Sequence, residues 1–138
     1  MPALDLIHNA VKNALIKDGW NITADPYVIV VGGDKLYVDL AAEQRLAAER
    51  DGQKIAVEIE SFSGRSPIRE FEIALGQYML YVSAIEQTDP ERKMYLAISA
   101  QVYEFLFQRV LIRNAVQRYQ ISLLVILLET EEVAQWIN

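Results

Sequence analysis

The chain contains no cysteine. That excludes disulfides and thiolate metal sites, and nothing in it suggests a secreted, disulfide-built fold. Histidine is almost as scarce, with His8 standing alone. A single histidine without cysteine does not make a usual zinc site, and a serine triad would have only His8 as its base. No nucleophile-elbow motif accompanies it. Phosphate-cradling glycine loops are missing as well, because Gly32-Gly33 lacks the spacing of a Walker or dinucleotide motif. Apolar runs are short. The longest, Leu123 to Leu128, falls far below the roughly 20 residues of a membrane helix. The N-terminal MPALDLIHNA has no basic region leading into an apolar core, so it does not read as a signal peptide. A soluble, cytoplasmic protein without a membrane partner is the expectation.

What the chain has in quantity is apolar residues and acids. At 138 residues and 52% hydrophobic it has the material for one core, and a single domain over residues 1–138 is expected. Formal net charge is -6. This argues against nonspecific DNA binding through a broad basic surface, but leaves open a local patch or a metal bridging acid to phosphate.

The acids are placed informatively. Lys54 to Phe62, KIAVEIESF, alternates as a strand and sets Glu58 and Glu60 on one face, with Ile55, Val57 and Ile59 on the other. Neighbouring acids on a sheet are unfavourable unless water or a cation meets them. Leu36 to Leu40 forms a second alternating strand and brings in Asp39. Asp39 and Glu58, with the Ile59 carbonyl nearby, form an oxygen donor set for magnesium or manganese, and such a metal activates water against a phosphodiester. The plain alternative is a solvated sheet face on which these acids only aid solubility. Asp34, Glu43 and Glu49 read as surface charge. Arg65, Arg69, Arg109, Arg113 and Arg118 are candidates for phosphate contact or for surface ion pairs.

Periodicity supplies the rest. Leu4 to Lys17 reads as an amphipathic helix ending at Gly19, and Asp25-Pro26 marks a turn. Tyr27 to Val31 and Leu36 to Leu40 form a hairpin around Gly32-Gly33, continuing into the Lys54 strand as an antiparallel start to the sheet. Ala41 to Arg50, AAEQRLAAER, has the propensity of a short exposed helix. Ser66 is placed to cap a helix from Ile68 to about Gln87, with Pro67 in its first position. On it, Phe71, Leu75, Tyr78, Val82 and Ile85 face the core, and Gln77 and Tyr81 lie one turn apart on another flank. Lys93 to Ser99 and Ile121 to Leu128 read as strands, Ala100 to Phe107 and Val110 to Tyr119 as helices, and Glu129 to Asn138 as a short helix. The expected fold class is α/β (α+β), a central mixed β-sheet flanked by helices.

This constellation is familiar. Asp39 followed by a strand bearing Glu58-x-Glu60 resembles the PD-(D/E)xK core of the restriction-endonuclease-like fold, and Gln77 with Tyr81 resembles the Q-x-x-x-Y motif of its RecB-like members. The longer segments DLIHNAVKNALIKDGW, LYVDLAAEQRLAAER, GQKIAVEIESF and ALGQYMLY resemble the XisH family, the fdxN-element excision controlling factors of cyanobacteria. The resemblance implies a restriction-endonuclease-like fold and a role in programmed, site-specific excision of a DNA element during heterocyst differentiation. It further implies an accessory to a separate site-specific recombinase, with a small XisI-like partner protein, DNA as a possible ligand and a possible homodimer. In catalytic terms it implies Asp39 and Glu58 as metal ligands, Glu60 positioning water, and Gln77 and Tyr81 supporting the site, with Asp5 and His8 approaching from the first helix. One departure stands out: the usual lysine of E-x-K is Glu60, which reverses the charge beside Glu58. A magnesium- or manganese-dependent endonuclease with an E-x-E site is therefore one reading, and a pure protein-interaction module another.

Overall fold

The computed structural model describes residues 4–44 and 52–138. The chain opens with α1 (Leu4–Lys17), whose Ile7, Val11, Ala14 and Leu15 repeat at helical spacing and are all buried. Gly19 ends it at φ +90°, a left-handed conformation that glycine adopts without strain, as the Trp20 N–H turns back to the Leu15 carbonyl. Then come β1 (Asn21–Ala24), the hairpin β2 (Tyr27–Val31) and β3 (Asp34–Val38), β4 (Leu40–Gln44) and β5 (Gln53–Ile59). The second half comprises α2 (Pro67–Thr88), β6 (Arg92–Ser99), α3 (Ala100–Phe105), α4 (Val110–Arg118), β7 (Leu123–Leu127) and β8 (Glu132–Ile137).

Six strands form one mixed sheet in the order β1-β4-β5-β6-β7-β8, parallel at β5–β6 and β6–β7 and antiparallel elsewhere. Each parallel pair needs a helical crossover, supplied by α2 and by α3 with α4. Both crossovers cover one face, where Phe71, Tyr78, Ile85, Val102 and Ile112 join Ala56, Leu96 and Ile98 in a core. The opposite face packs against α1, through Leu15, Val57, Ile59, Tyr95 and Leu124. Alternation along β5 thus works as expected, with Ile55, Val57 and Ile59 toward α1 and Ala56 toward α2. Ser66 accepts from the Arg69 N–H at 3.2 Å and Pro67 starts α2, as its sequence indicates. No helix among the described residues is long and apolar enough to cross a membrane.

Four expectations are corrected. First, Ala41 to Gln44 is strand, not helix; the remainder of the expected helix, with Glu49, lies outside the described residues. Ala41 and Ala42 are fully buried, with backbone paired to β1 on one side and β5 on the other, and those two ladders override alanine's helix propensity. Second, the hairpin is not part of the main sheet. β2 and β3 pair only with each other, Asp39 bends the chain, and β4 re-enters the sheet. Third, β5 ends at Ile59, so Glu60 stands just past the strand. Fourth, Glu132 to Ile137 is a strand. It closes the edge of the apolar β7, and Trp136 packs against Trp20 and Tyr95 at 5.7 and 4.9 Å between ring centroids.

Candidate functional site: an acid cluster at the end of the central strand

The bend at Asp39 and the end of β5 meet through two reciprocal hydrogen bonds. The Ile59 N–H donates to Asp39 Oδ2 at 2.8 Å, and the Asp39 N–H donates to Glu58 Oε1 at 3.2 Å. Each carboxylate is held by the backbone of the other's segment, so two side chains 19 residues apart in sequence are fixed side by side. The Glu60 N–H extends the parallel pairing by bonding the Ala97 carbonyl at 3.1 Å, which keeps Glu60 at the same end of the sheet. Glu58 is only 9% exposed.

Electrostatics follow from this geometry. Burial, then the Asp39 charge, pushes the Glu58 carboxyl up to about 8, although the Asp39 N–H works in the opposite direction. Burial, Asp39 and Glu70 push Glu60 up to about 7. Tyr81 rises to about 12 through burial and the charges of Glu58, Asp39 and Glu60. Among the described residues every charged group acting on these three is an acid, and no lysine or arginine offsets them.

The helix α2 supplies the roof. Tyr81 donates to the Tyr37 carbonyl at 3.1 Å, and thereby ties α2 to the segment that leads into Asp39. Gln77 lies one turn earlier, and its buried Oε1 has no hydrogen-bond partner among the described residues. Glu70 is the residue that sequence reasoning missed. Its Oε1 accepts from the Gly64 N–H at 2.9 Å, and its Oε2 is buried without a partner among the described residues. A Cβ at Gly64 would sit 2.5 Å from Glu70 Oε1, so a larger residue there would push this carboxylate out of its place. Stepping back from Gln77 by two helical turns does reach Glu70, but an acid in a helix first turn already has a reason to be there, so the spacing does not single it out.

The structure therefore brings Asp39, Glu58, Glu60, Glu70 and Tyr81 near one another, with Gln77 one helical turn from Tyr81. His8 does not join them: it pairs with Asp25 at 2.9 Å, beside Lys12 at 2.8 Å from the same carboxylate. The Asp5 side chain lies outside the described ones. A groove of about 750 Å³ lies apart from the cluster, lined by Tyr78, Val82, Val116, Ile121 and Ile137. Charged side chains of Glu86, Glu91, Arg92 and Lys93 also line it, and none of the cluster's acids does.

The chemistry of the cluster suits a hard divalent cation, which takes carboxylate and carbonyl oxygens. Among the described residues no three histidine, cysteine or acidic side chains stand together as a ready metal cage. Asp39 and Glu58 would be the protein ligands, with waters completing the shell.

The fold and cluster define a mixed-sheet α+β domain with a carboxylate site where its central strand ends. Its relatives are specific. The model of the XisH protein family matches residues 1–134. An XisH family protein from Nostoc punctiforme PCC 73102, solved by crystallography, superposes with a TM-score of 0.87 at 43% identity, over 97% of this chain and 100% of its own. A fdxN element excision controlling factor protein from Anabaena variabilis superposes with a TM-score of 0.87 at 44% identity, over 97% and 99%. No curated protein matches. The chain belongs to the XisH family.

Proposed function

We propose that this chain is a controlling factor for excision of a DNA element, built on a restriction-endonuclease-like PD-(D/E)xK scaffold whose acid cluster holds magnesium or manganese. The carrying observation is the Asp39–Glu58 pair, locked side by side by two reciprocal hydrogen bonds, with Glu60 near enough to repel Glu58 and no basic side chain of the described residues acting on either glutamate. A fold retained only for packing has no use for that arrangement. The solved relative from Anabaena variabilis is described as a fdxN element excision controlling factor, and this reading extends that role here. In it the protein acts beside a separate site-specific recombinase, with DNA, an XisI-like protein or a second copy of itself as partners.

Asp39 and Glu58 hold the cation in this reading. Tyr81, protonated throughout the neutral range, holds α2 over the cluster through the Tyr37 carbonyl. A bound cation supplies a Lewis acid for a phosphate oxygen or a polarised water. Glu60, where a lysine would stand in the usual motif, removes a positive charge from the phosphate and favours binding over hydrolysis. Cleavage is the second reading, favoured by the juxtaposition of Asp39 and Glu58.

Supercoiled plasmid incubated with the protein and manganese or magnesium separates the two, beside an Asp39→Ala/Glu58→Ala variant. Intact plasmid in both samples, together with cation-dependent thermal stabilisation of the wild type alone, is the expected result. Nicking by the wild type alone makes the protein a metal-dependent endonuclease. A protein indifferent to both metals removes the cation site and leaves an interaction module.

A further inference from the structure

From Phe105 to Leu128 the chain carries three arginines and no acid, although the whole molecule has a net charge of -6. This stretch contains α4. The helix turns Ile112 into the core and packs Ala115 and Val116 against it. Its other side is exposed and presents Arg113, Asn114, Gln117 and Arg118, with Arg109 at the N-cap. Ion pairs among the described residues use His8, Lys12, Lys54 and Arg92, and none uses an arginine of α4. Arg118 lies over the Tyr119 ring at 5.8 Å. The helix itself offers a polyanion arginines, an asparagine and a glutamine without an acid, while Glu86 and Glu91, beside Arg92 and Lys93, line the groove that runs past Gln117.

The start of this helix is fixed near the acid cluster. Phe107 packs edge-on against Phe62 and Phe71 at 5.5 and 5.8 Å between centroids. Phe62 lies two residues after Glu60, and Phe71 follows Glu70. β5 and β6 run parallel, so the acid cluster and the start of α3 lie at the same end of the sheet.

We propose that the exposed face of α4 is a contact surface for duplex DNA, engaging the phosphate backbone through Arg109, Arg113 and Arg118. This rests on the excision reading above and deepens it by naming the surface. Arg109 and Arg113 are separated by about 6 Å of helix rise, close to the ~7 Å that two phosphate steps of one strand span along the duplex axis. Arginine donors suit phosphate oxygens, and Asn114 and Gln117 add neutral donors between them. Val110 and Leu111, 63% and 66% exposed on the same helix, are what a protein partner would bury instead.

The test is fluorescence anisotropy with a labelled random-sequence duplex of about 30 base pairs, over roughly 50 to 200 mM salt, with magnesium and again with EDTA. The wild type is expected to bind with salt-sensitive affinity. Arg109→Glu/Arg113→Glu/Arg118→Glu should lose roughly tenfold or more in affinity, with a shallower salt slope, while its circular dichroism spectrum stays that of the wild type. The triple Arg→Lys variant should keep most of the binding. Gln117→Glu, which removes no native charge and puts one acid on the face, should weaken binding by a few fold and covers any folding defect of the triple variant. Wild-type binding left unchanged by the triple variant and by Gln117→Glu overturns this surface and leaves the excision reading standing. No duplex binding by the wild type at low salt overturns both this surface and the DNA arm of that reading.

Discussion

Charges at the two ends of β5 and β6 are treated in opposite ways. Near the strand starts they are paired. Arg92, 8% exposed, donates to Asp89 at 3.1 Å and to the Ile55 carbonyl at 2.9 Å, lies 3.9 Å from Glu43 and stacks over the Tyr27 ring at 4.9 Å. Lys54 reaches Asp89 at 3.4 Å. Near the strand ends, Asp39, Glu58, Glu60 and Glu70 gather with no cation among the side chains that act on them. Both regions hold charged side chains that are partly or wholly buried, at opposite ends of β5. The first is a satisfied structural network. The second is an arrangement that burial disfavours and that an added cation would relieve.

Experiments on stability break or sharpen this contrast. The largest effect is expected at the paired end. Arg92→Met leaves Asp89 with Lys54 alone and removes the guanidinium donor from the Ile55 carbonyl, and should lower stability by about 3 kcal/mol in chemical denaturation. A small change there would mean that the two ends are not energetically different. Next comes cation addition. At a concentration near 100 times its dissociation constant, magnesium or manganese should stabilise the wild type by about 2.7 kcal/mol, and Asp39→Asn/Glu58→Gln should abolish the shift. Because Glu58 and Glu60 must lose protons to take a cation, the stabilisation should grow from about pH 6 to about pH 8.

A third prediction concerns the metal-free protein. Glu58 and Glu60, raised to about 8 and about 7, keep protons in the folded state that the unfolded chain loses near its ordinary value of 4.5. The folded state therefore binds more protons across that window, and stability falls as pH rises from about 4.5 to about 8. Glu58→Gln, which retains an acceptor for the Asp39 N–H, should raise stability at pH 8 by about 1–2 kcal/mol, or roughly 4–8 °C in melting temperature. That gain should disappear near pH 4, and an equal gain at both pH values would mean that the carboxylate charge is not its cause. The smallest effect belongs to Tyr81→Phe, which removes the hydrogen bond to the Tyr37 carbonyl and should cost about 1 kcal/mol. Melting curves that coincide with the wild type would show that this tie between α2 and the Asp39 segment contributes nothing.

The acid cluster was legible in sequence to different depths. Glu58 is visible because period-2 alternation along Ile55, Val57 and Ile59 assigns its face, and that face is the one observed. Gln77 and Tyr81 are visible as a helical i, i+4 pair. Asp39 is visible as an acid near a strand, but not as a bend between two strands in different sheets. Glu70 was not visible, because an acid in a helix first turn reads as a favourable partner of the helix dipole. Only the Gly64 N–H and the proximity of Glu60 give it a place in the site.

Local information, then, determined where α1, α2, β5, β6 and β7 lie, since capping residues, turn glycines and the two periodicities act within a few residues. It also determined that the acids of β5 share a face, and that one stretch of the chain is free of acids. The tertiary structure alone decided that the alanine-rich β4 is a strand, because its neighbours β1 and β5 satisfy its backbone on both sides. It made a strand of β8, because β7 needed a partner along its open edge. And it decided the convergence of the site: a carboxylate's place relative to another 19 residues away depends on strand order and on two backbone hydrogen bonds. Long-range pairing of that kind leaves no periodic trace in the residues that take part in it.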